Sequence, residues 1–201
     1  MSESFLELVK ARRSYYALSN KTPIPAEKIT QIVSDSLKYV PSSFNSQSSR
    51  VVLLFGKEHE ALWDLVLEVL KPVAPPEQYP RTIEKVNACF KSGFGTVLFF
   101  EDNAAVIDMQ EKFPLYQDRF PTWAQHTSGM LQYIVWLAFE KEGLGASLQH
   151  YNPLIDEKFR DNYKLPVTWQ LVAQMPFGAP AAEPGEKTFL DMDERFKVFG
   201  H

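Results

Sequence analysis

Two short, nearly unbroken apolar runs constrain this chain most: residues 51–55 (VVLLF) and 95–100 (GTVLFF). Runs of this length without polar alternation read as buried strands. Around them the periodicity is helical. Ser4 and Glu7 form a capping box that opens a helix with Phe5, Leu8 and Val9 on one face, running into Arg12 and Arg13. Pro25 suits the first turn of a second helix, striped by Ile29, Ile32, Val33 and Leu37. Further helices are expected over 57–71, 81–91, 103–112, 124–142 and 153–162, the long one stopping at Gly143. Residues 145–150 and 168–175 read as strands. The prolines at 72, 75, 76 and 80 demand a surface connection. The pattern is an α+β or α/β sandwich with helices dominant, one domain over residues 1–201. The last segment differs: residues 179–188 read as extended, and RFKVFG after them as a strand. Such an arm needs a sheet edge to pair with, and a partner subunit supplies one, so a homodimer is expected.

Composition removes several functions. Lys and Arg total 21 against 25 Asp and Glu, a net charge of -4 with no basic tract, which argues against nucleic-acid binding. No apolar run reaches the roughly 20 residues that span a bilayer, and no signal-peptide core opens the chain, so a cytoplasmic location is expected. A single cysteine, Cys89, allows no intrachain disulfide and reads as a small buried apolar residue. His59, His126, His150 and His201 stand too far apart for a helical metal pair. No GxSxG elbow, P-loop, HExxH or GxGxxG occurs. If the chain is an enzyme, a cofactor carries its chemistry.

Four segments hold polar groups suited to such a cofactor. Arg12, Arg13 and Ser14 offer two guanidinium groups and a hydroxyl to a phosphate, although basic residues in a last helical turn also simply complement the helix dipole. Pro41, Ser42, Ser43, Asn45 and Gln47 lie in a loop rich in donors and acceptors, equally readable as an ordinary turn. Gln149, His150 and Tyr151 close a strand that leaves a glycine turn. Lys187 is a point charge in an acidic tail, readable as a phosphate anchor or as a solvated surface lysine.

In order, RRSYYAL, PSSFNSQSSRVVLLFG, FGTVLFFED, SGMLQYIVWLAFEKEGLGASLQHYNPLID and EKTF resemble the FMN-dependent nitroreductase family, in particular its short fungal and bacterial branch of the fatty-acid-repression-mutant type. The resemblance covers nearly the whole chain. It implies an α+β fold, a mostly antiparallel sheet sandwiched by helices, with the C-terminal strand exchanged in a homodimer and FMN at the interface. On that resemblance Arg12, Arg13, Ser14 and Lys187 hold the phosphate end. Pro41, Ser42, Ser43, Asn45 and Gln47 reach across from the opposite subunit. Gln149, His150 and Tyr151 meet the flavin ring largely through backbone. Larger family members show two basic residues near Lys187, where this chain has Glu186-Lys187-Thr188. A further contact before the second strand is left among Lys85, Asn87 and Lys91.

The implied reaction is ping-pong: NADH or NADPH reduces FMN and leaves, and an electron-poor acceptor such as a nitroaromatic or a quinone takes its place. No side chain is required as acid or base. Phe113, Tyr116, Phe120 and Trp123 are the expected lining of the acceptor slot, in a chain with 15 Phe, 8 Tyr and 4 Trp. The rival reading on the same fold is a non-catalytic flavin-binding regulator of lipid or redox signalling. A third is an interaction dimer without cofactor.

Overall fold

The structure is a computed structural model that describes residues 4–200. Its elements run α1 (Phe5–Ala11), β1 (Leu18–Ser19), α2 (Ala26–Tyr39), β2 (Ser49–Phe55), α3 (Gly56–Leu70), α4 (Tyr79–Val86), β3 (Gly95–Asp102), α5 (Asn103–Lys112), α6 (Phe120–Lys141), β4 (Gly145–Ala146), α7 (Asp156–Tyr163) and β5 (Trp169–Pro180). The sheet order is β1-β5-β3-β2, with β4 also on β5, and every strand pair is antiparallel.

The central strand explains the apolar runs. Along β3, Val97 and Phe99 enter one core while Leu98 and Phe100 enter the other. The first core adds Ile29 and Val33 of α2 and Leu131, Val135, Trp136 and Phe139 of α6. The second adds Leu62, Trp63 and Val66 of α3, Val86 of α4 and Phe159 of α7. With side chains alternating between two covered faces, the strand has no polar positions to spare. The fold is therefore α+β, an antiparallel sheet between helical layers. Opposite Phe99 and Phe100 the register slips, so that Phe99 faces Ala173 and Phe100 faces Leu171. This bulge at Val172 puts Leu171 in the second core and Ala173, Met175 and Phe177 in the first. Beyond it, Gly178 passes so close to β1 that a Cβ there meets the Ser19 carbonyl oxygen at 2.2 Å.

Several expected boundaries move. Helix α6 begins at Phe120, with Pro121 in its first turn, and ends as expected at Gly143, where φ is 78°. The Leu144 N–H bonds the Phe139 carbonyl at 2.9 Å there, a left-handed helix stop. The helix expected over 81–91 is α4 followed by a π turn, Asn87–Lys91. The strand expected over 145–150 shrinks to Gly145–Ala146 plus a bridge from Gln149 to Gln174. The segment expected as helix over 153–162 becomes helical only at Asp156. The strand expected at RFKVFG is not formed. Among the described residues the arm beyond Pro180 carries one 3-10 turn, Met192–Glu194, and no strand, because no sheet edge of this chain pairs with it. Among the described residues, no helix is long and apolar enough to cross a membrane.

One buried polar knot ties α3 to β3. The His59 ring meets Thr96 Oγ1 at 2.8 Å and the Lys91 carbonyl at 3.1 Å, and Trp63 Nε1 donates to the same Thr96 oxygen at 3.0 Å. Burial disfavours the imidazolium and lowers the His59 pKa, outweighing the carbonyl contact that raises it. The unfolded chain binds this proton near pH 6.5 and the folded chain only at lower pH. Stability from this group is thus full above pH 6.5 and falls as the pH drops below it. We expect His59→Gln to remove this share, so that the change in urea midpoint between pH 7.5 and 5.5 is smaller in the variant than in the parent. Identical changes in both would show that the imidazole is not responsible.

Candidate functional site

Arg12 caps α1, its N–H bonding the Leu8 carbonyl at 3.0 Å. The next residues leave the helix and join the sheet region: Ser14 bridges Ala146, and the Tyr15 N–H donates to the Ala146 carbonyl at 2.9 Å. From the other end of the chain, Gly185 is fastened by its carbonyl, which accepts from the Arg13 guanidinium. These links assemble a cavity of about 450 Å³ lined by Arg12, Arg13, Ser14, Tyr16, Gly185, Glu186 and Lys187. Three cations, two hydroxyls and one carboxylate line it, a donor set that suits a phosphate. The Arg12 guanidinium carbon lies 4.5 Å from the centre of the Trp136 ring and 5.9 Å from that of Tyr133. Arg12 Nε and Trp136 Nε1 are both buried without a hydrogen-bond acceptor.

The loop before β2 is strained. Phe44, Asn45 and Gln47 all have left-handed φ, of 54°, 53° and 48°. Such conformations in non-glycine residues cost on the order of 1–3 kcal/mol each and collect at functional sites. Ser42 Oγ holds the loop by accepting from the Gln47 N–H at 3.0 Å. Its far end is anchored by a buried carboxylate: Ser48 and Ser49 hydroxyls donate to Glu101 at 2.7 and 2.6 Å. Burial raises the Glu101 pKa against the pull of those hydroxyls and of Arg50. Arg50 in turn pairs with Asp102 at 3.0 Å and donates to the Gln47 carbonyl at 2.7 Å. Ser42 and Gln47 line a separate cavity of about 240 Å³ with Leu37, Lys38, Val40, Ser49, Arg50 and Thr127. None of Pro41, Ser42, Ser43, Asn45 or Gln47 lines the Arg12 cavity within one chain.

Phe44 swings from this loop into the aromatic segment. Its ring centre lies 4.6 Å from Phe113, 5.5 Å from Phe120, 5.7 Å from Tyr116 and 6.1 Å from Trp123. Phe44, Phe113 and Tyr116 are exposed and Trp123 is half-buried. Phe120, expected as lining, instead packs in the core with Val106, Met109 and Ala124, because its position at the start of α6 turns it inward.

The strand-end residues divide. The Gln149 backbone pairs both ways with Gln174, at 2.7 and 2.9 Å. The Tyr151 N–H donates to Gln174 Oε1 at 2.8 Å, and the Tyr151 ring packs edge-on against Trp63 and Phe90. Burial raises the pKa of its hydroxyl. His150 is exposed. Of the residues left open before the second strand, Lys91 is paired with Asp64 at 2.5 Å, Lys85 lies over the Phe90 ring and Asn87 starts the π turn. None lines the Arg12 cavity. Among the described residues, no cluster of His, Cys, Asp and Glu has the makings of a metal site.

The family model for nitroreductases matches residues 9–179. The chain belongs to the nitroreductase family. Two proteins of Saccharomyces cerevisiae are similar along nearly all of it. A putative nitroreductase, HBN1, is 38% identical over 192 residues, 94% of this chain and 95% of its own. The nitroreductase FRM2 is 34% identical over 190 residues, 94% of each. Nitroreductase CinD from Lactococcus lactis, solved with chloramphenicol, has a TM-score of 0.90 at 40% identity, covering 98% of this chain and 100% of its own. CinD has also been solved with 4-nitrophenol. A Desulfitobacterium hafniense nitroreductase with bound FMN shares the fold, with a TM-score of 0.73 at 18% identity over 98% of this chain and all of that one.

In this nitroreductase three contributors escaped the sequence reading. Phe44 stands out in the sequence only as a lone aromatic within the polar PSSFNSQ. Glu101 lies just past an apolar run and Trp136 inside an apolar helix, and no motif singles out either. The Arg13–Gly185 link fastens the arm, so we expect Arg13→Ala to raise the rate of limited proteolysis within residues 181–200 several-fold. An unchanged cleavage rate would show that the arm is held by other contacts.

Proposed function

We propose that this nitroreductase is an FMN-dependent NAD(P)H oxidoreductase that reduces flat, electron-poor acceptors such as nitroaromatics and quinones by a ping-pong mechanism. The observation that carries the reading is the convergence of Arg12, Arg13, Ser14 and Lys187, from opposite ends of the chain, on one cavity. That donor set fits the phosphate of FMN. The FMN bound by the Desulfitobacterium protein supports the cofactor, and the CinD complexes, 4-nitrophenol above all, support the acceptor class.

When bound, FMN supplies the two-electron chemistry that links nicotinamide to acceptor. The chain supplies position and electrostatics. Arg12, Arg13 and Lys187 neutralise the phosphate while Ser14 adds a hydroxyl. Pro41, Ser42, Ser43, Asn45 and Gln47 belong to the partner subunit's share of the site, which accounts for their distance from the Arg12 cavity in one chain. Gln149, His150 and Tyr151 sit under the ring edge as a rigid strand end. Phe44, Phe113, Tyr116 and Trp123 offer apolar ring faces to a flat acceptor.

The homodimer belongs to the same proposal. Phe189, Leu190, Met192, Phe196, Val198 and Phe199 of the arm are all at least half exposed, as are Phe5 and Leu6 of α1. Exposed apolar side chains gathered along one arm are what an interface offers, and an arm with no edge in its own chain is available to another copy's sheet.

Two measurements test this. Protein purified from a flavin-replete host is expected to be yellow and to bleach under anaerobic NADH or NADPH, with colour restored by a nitroaromatic or a quinone. A colourless protein that takes up no added FMN sinks the proposal, and a yellow one that neither nucleotide bleaches leaves only binding. Deleting residues 189–201 is expected to weaken the dimer and release FMN, read by sedimentation and flavin fluorescence. A truncated protein that stays dimeric and flavin-loaded contradicts the role given to the arm.

A further inference from the structure

Resting on the flavin reading, we infer that Trp136 is a positioning residue for the cofactor phosphate: it holds the Arg12 guanidinium in place through its ring face. Arg12 needs such a support. It stands at the end of α1, a seven-residue helix with no buried residue, so its own helix fixes it poorly. Trp136 is the reverse. It belongs to the core of α2, α6 and the sheet, with 9% of its surface exposed. A guanidinium carbon 4.5 Å from an indole centre is within cation–π range, and Arg stacks on such rings better than Lys does. Tyr133, one turn earlier on α6, stands 5.9 Å away as a second, longer support.

The hydrogen-bond pattern agrees. The Nε of Arg12 is buried without an acceptor, yet the residue lines the cavity with Arg13, Ser14 and Lys187. Nε is therefore no part of what Arg12 shows to solvent. A buried donor left unmet is unusual and costly unless the geometry serves something else. Here the ring attraction takes the place of a carbonyl partner and leaves the guanidinium charge available to an anion. A carboxylate in the same position would hold the arginine as firmly but would cancel the charge that the phosphate needs.

The test compares FMN with riboflavin, which has the same ring and no phosphate. Affinities of full-length, flavin-stripped protein are read by quenching of flavin fluorescence. Trp136→Met, which keeps bulk and removes the ring, is expected to weaken FMN binding about tenfold, the scale of a cation–π contact. Riboflavin binding should change less than twofold. Trp136→Phe should fall between, about threefold. Arg12→Lys should lose FMN affinity similarly, and adding Trp136→Met to it should cost little more, because the two act as one unit. Equal weakening of FMN and riboflavin would assign Trp136 a purely structural role and overturn the inference, as would undiminished FMN affinity. If Trp136→Met does not fold, the selectivity of Trp136→Phe decides by the same comparison. A parent protein that binds neither flavin overturns the functional reading and this inference together, whereas a parent that binds FMN beside a non-selective variant overturns this inference alone.

Discussion

Burial of β3 on both faces is the constraint on which everything else hangs. Val97 and Phe99 point into one core, Leu98 and Phe100 into the other, and both edges of the strand are paired along their length. A one-residue slip would exchange the two sets of side chains, so the register is heavily specified. The bulge at Val172 makes that one-residue exchange deliberately in β5. Its consequence reaches the site: Gln174, fully buried beyond the bulge, pairs with the Gln149 backbone and bonds the Tyr151 N–H. The placement of residues 149–151 is thus set by strand register. The same strand ends in Glu101 and Asp102, which gather Ser48, Ser49 and Arg50 and fix the end of the strained 41–47 loop. Strained left-handed backbone persists only where its surroundings over-determine it, and a buried carboxylate bonded by two hydroxyls is such a surrounding.

The cationic cavity is built differently. Nothing buried in α1 positions Arg12, and Lys187 stands in an exposed arm. The cavity exists because weakly packed pieces are tied to one another and to the core: Arg13 to Gly185 of the arm, Ser14 and Tyr15 to β4, and Arg12 to the faces of Trp136 and Tyr133. The region therefore belongs to the low-stability end of the molecule, where ligand-binding parts are usually found.

Legibility in the sequence followed the same division. The strands at 51–55 and 95–100 are plain as apolar runs without alternation, yet only β3 is buried on both faces, whereas β2 lies at the sheet edge and only Leu54 of residues 51–55 is buried. The glycine stop at 143 and the helices around 26–39 and 57–70 were plain for local reasons of capping and periodicity. The strand over 145–150 was overestimated, because Ser147 and Leu148 carry strand-like composition while their pairing is limited by what β5 offers. The RFKVFG tail reads as a strand for a partner subunit's sheet edge, and no sheet edge of a single chain pairs with it. Arg12, Arg13, Ser14 and Lys187 were nominated from charge type and order, and folding brings all four to one cavity. What the sequence did not disclose was the support behind them. Phe44, Glu101 and Trp136 act through neighbours 50 to 130 positions away, and no local pattern records such contacts.

That distribution also bears on the chemistry proposed for the site. Its buried polar groups are committed to structure: His59 and Trp63 to Thr96, Glu101 to two serines, Gln174 to a strand end. The groups left at the surface of the site are cations, hydroxyls and ring faces, which bind and orient but do not themselves take up a hydride. A scaffold of this kind gains function from how firmly it holds a reactive partner. Firmness here comes from pairing residues around the site with core residues of matching chemistry, a guanidinium with an indole face, two buried hydroxyls with a buried carboxylate. The apolar sheet is what keeps those core partners still.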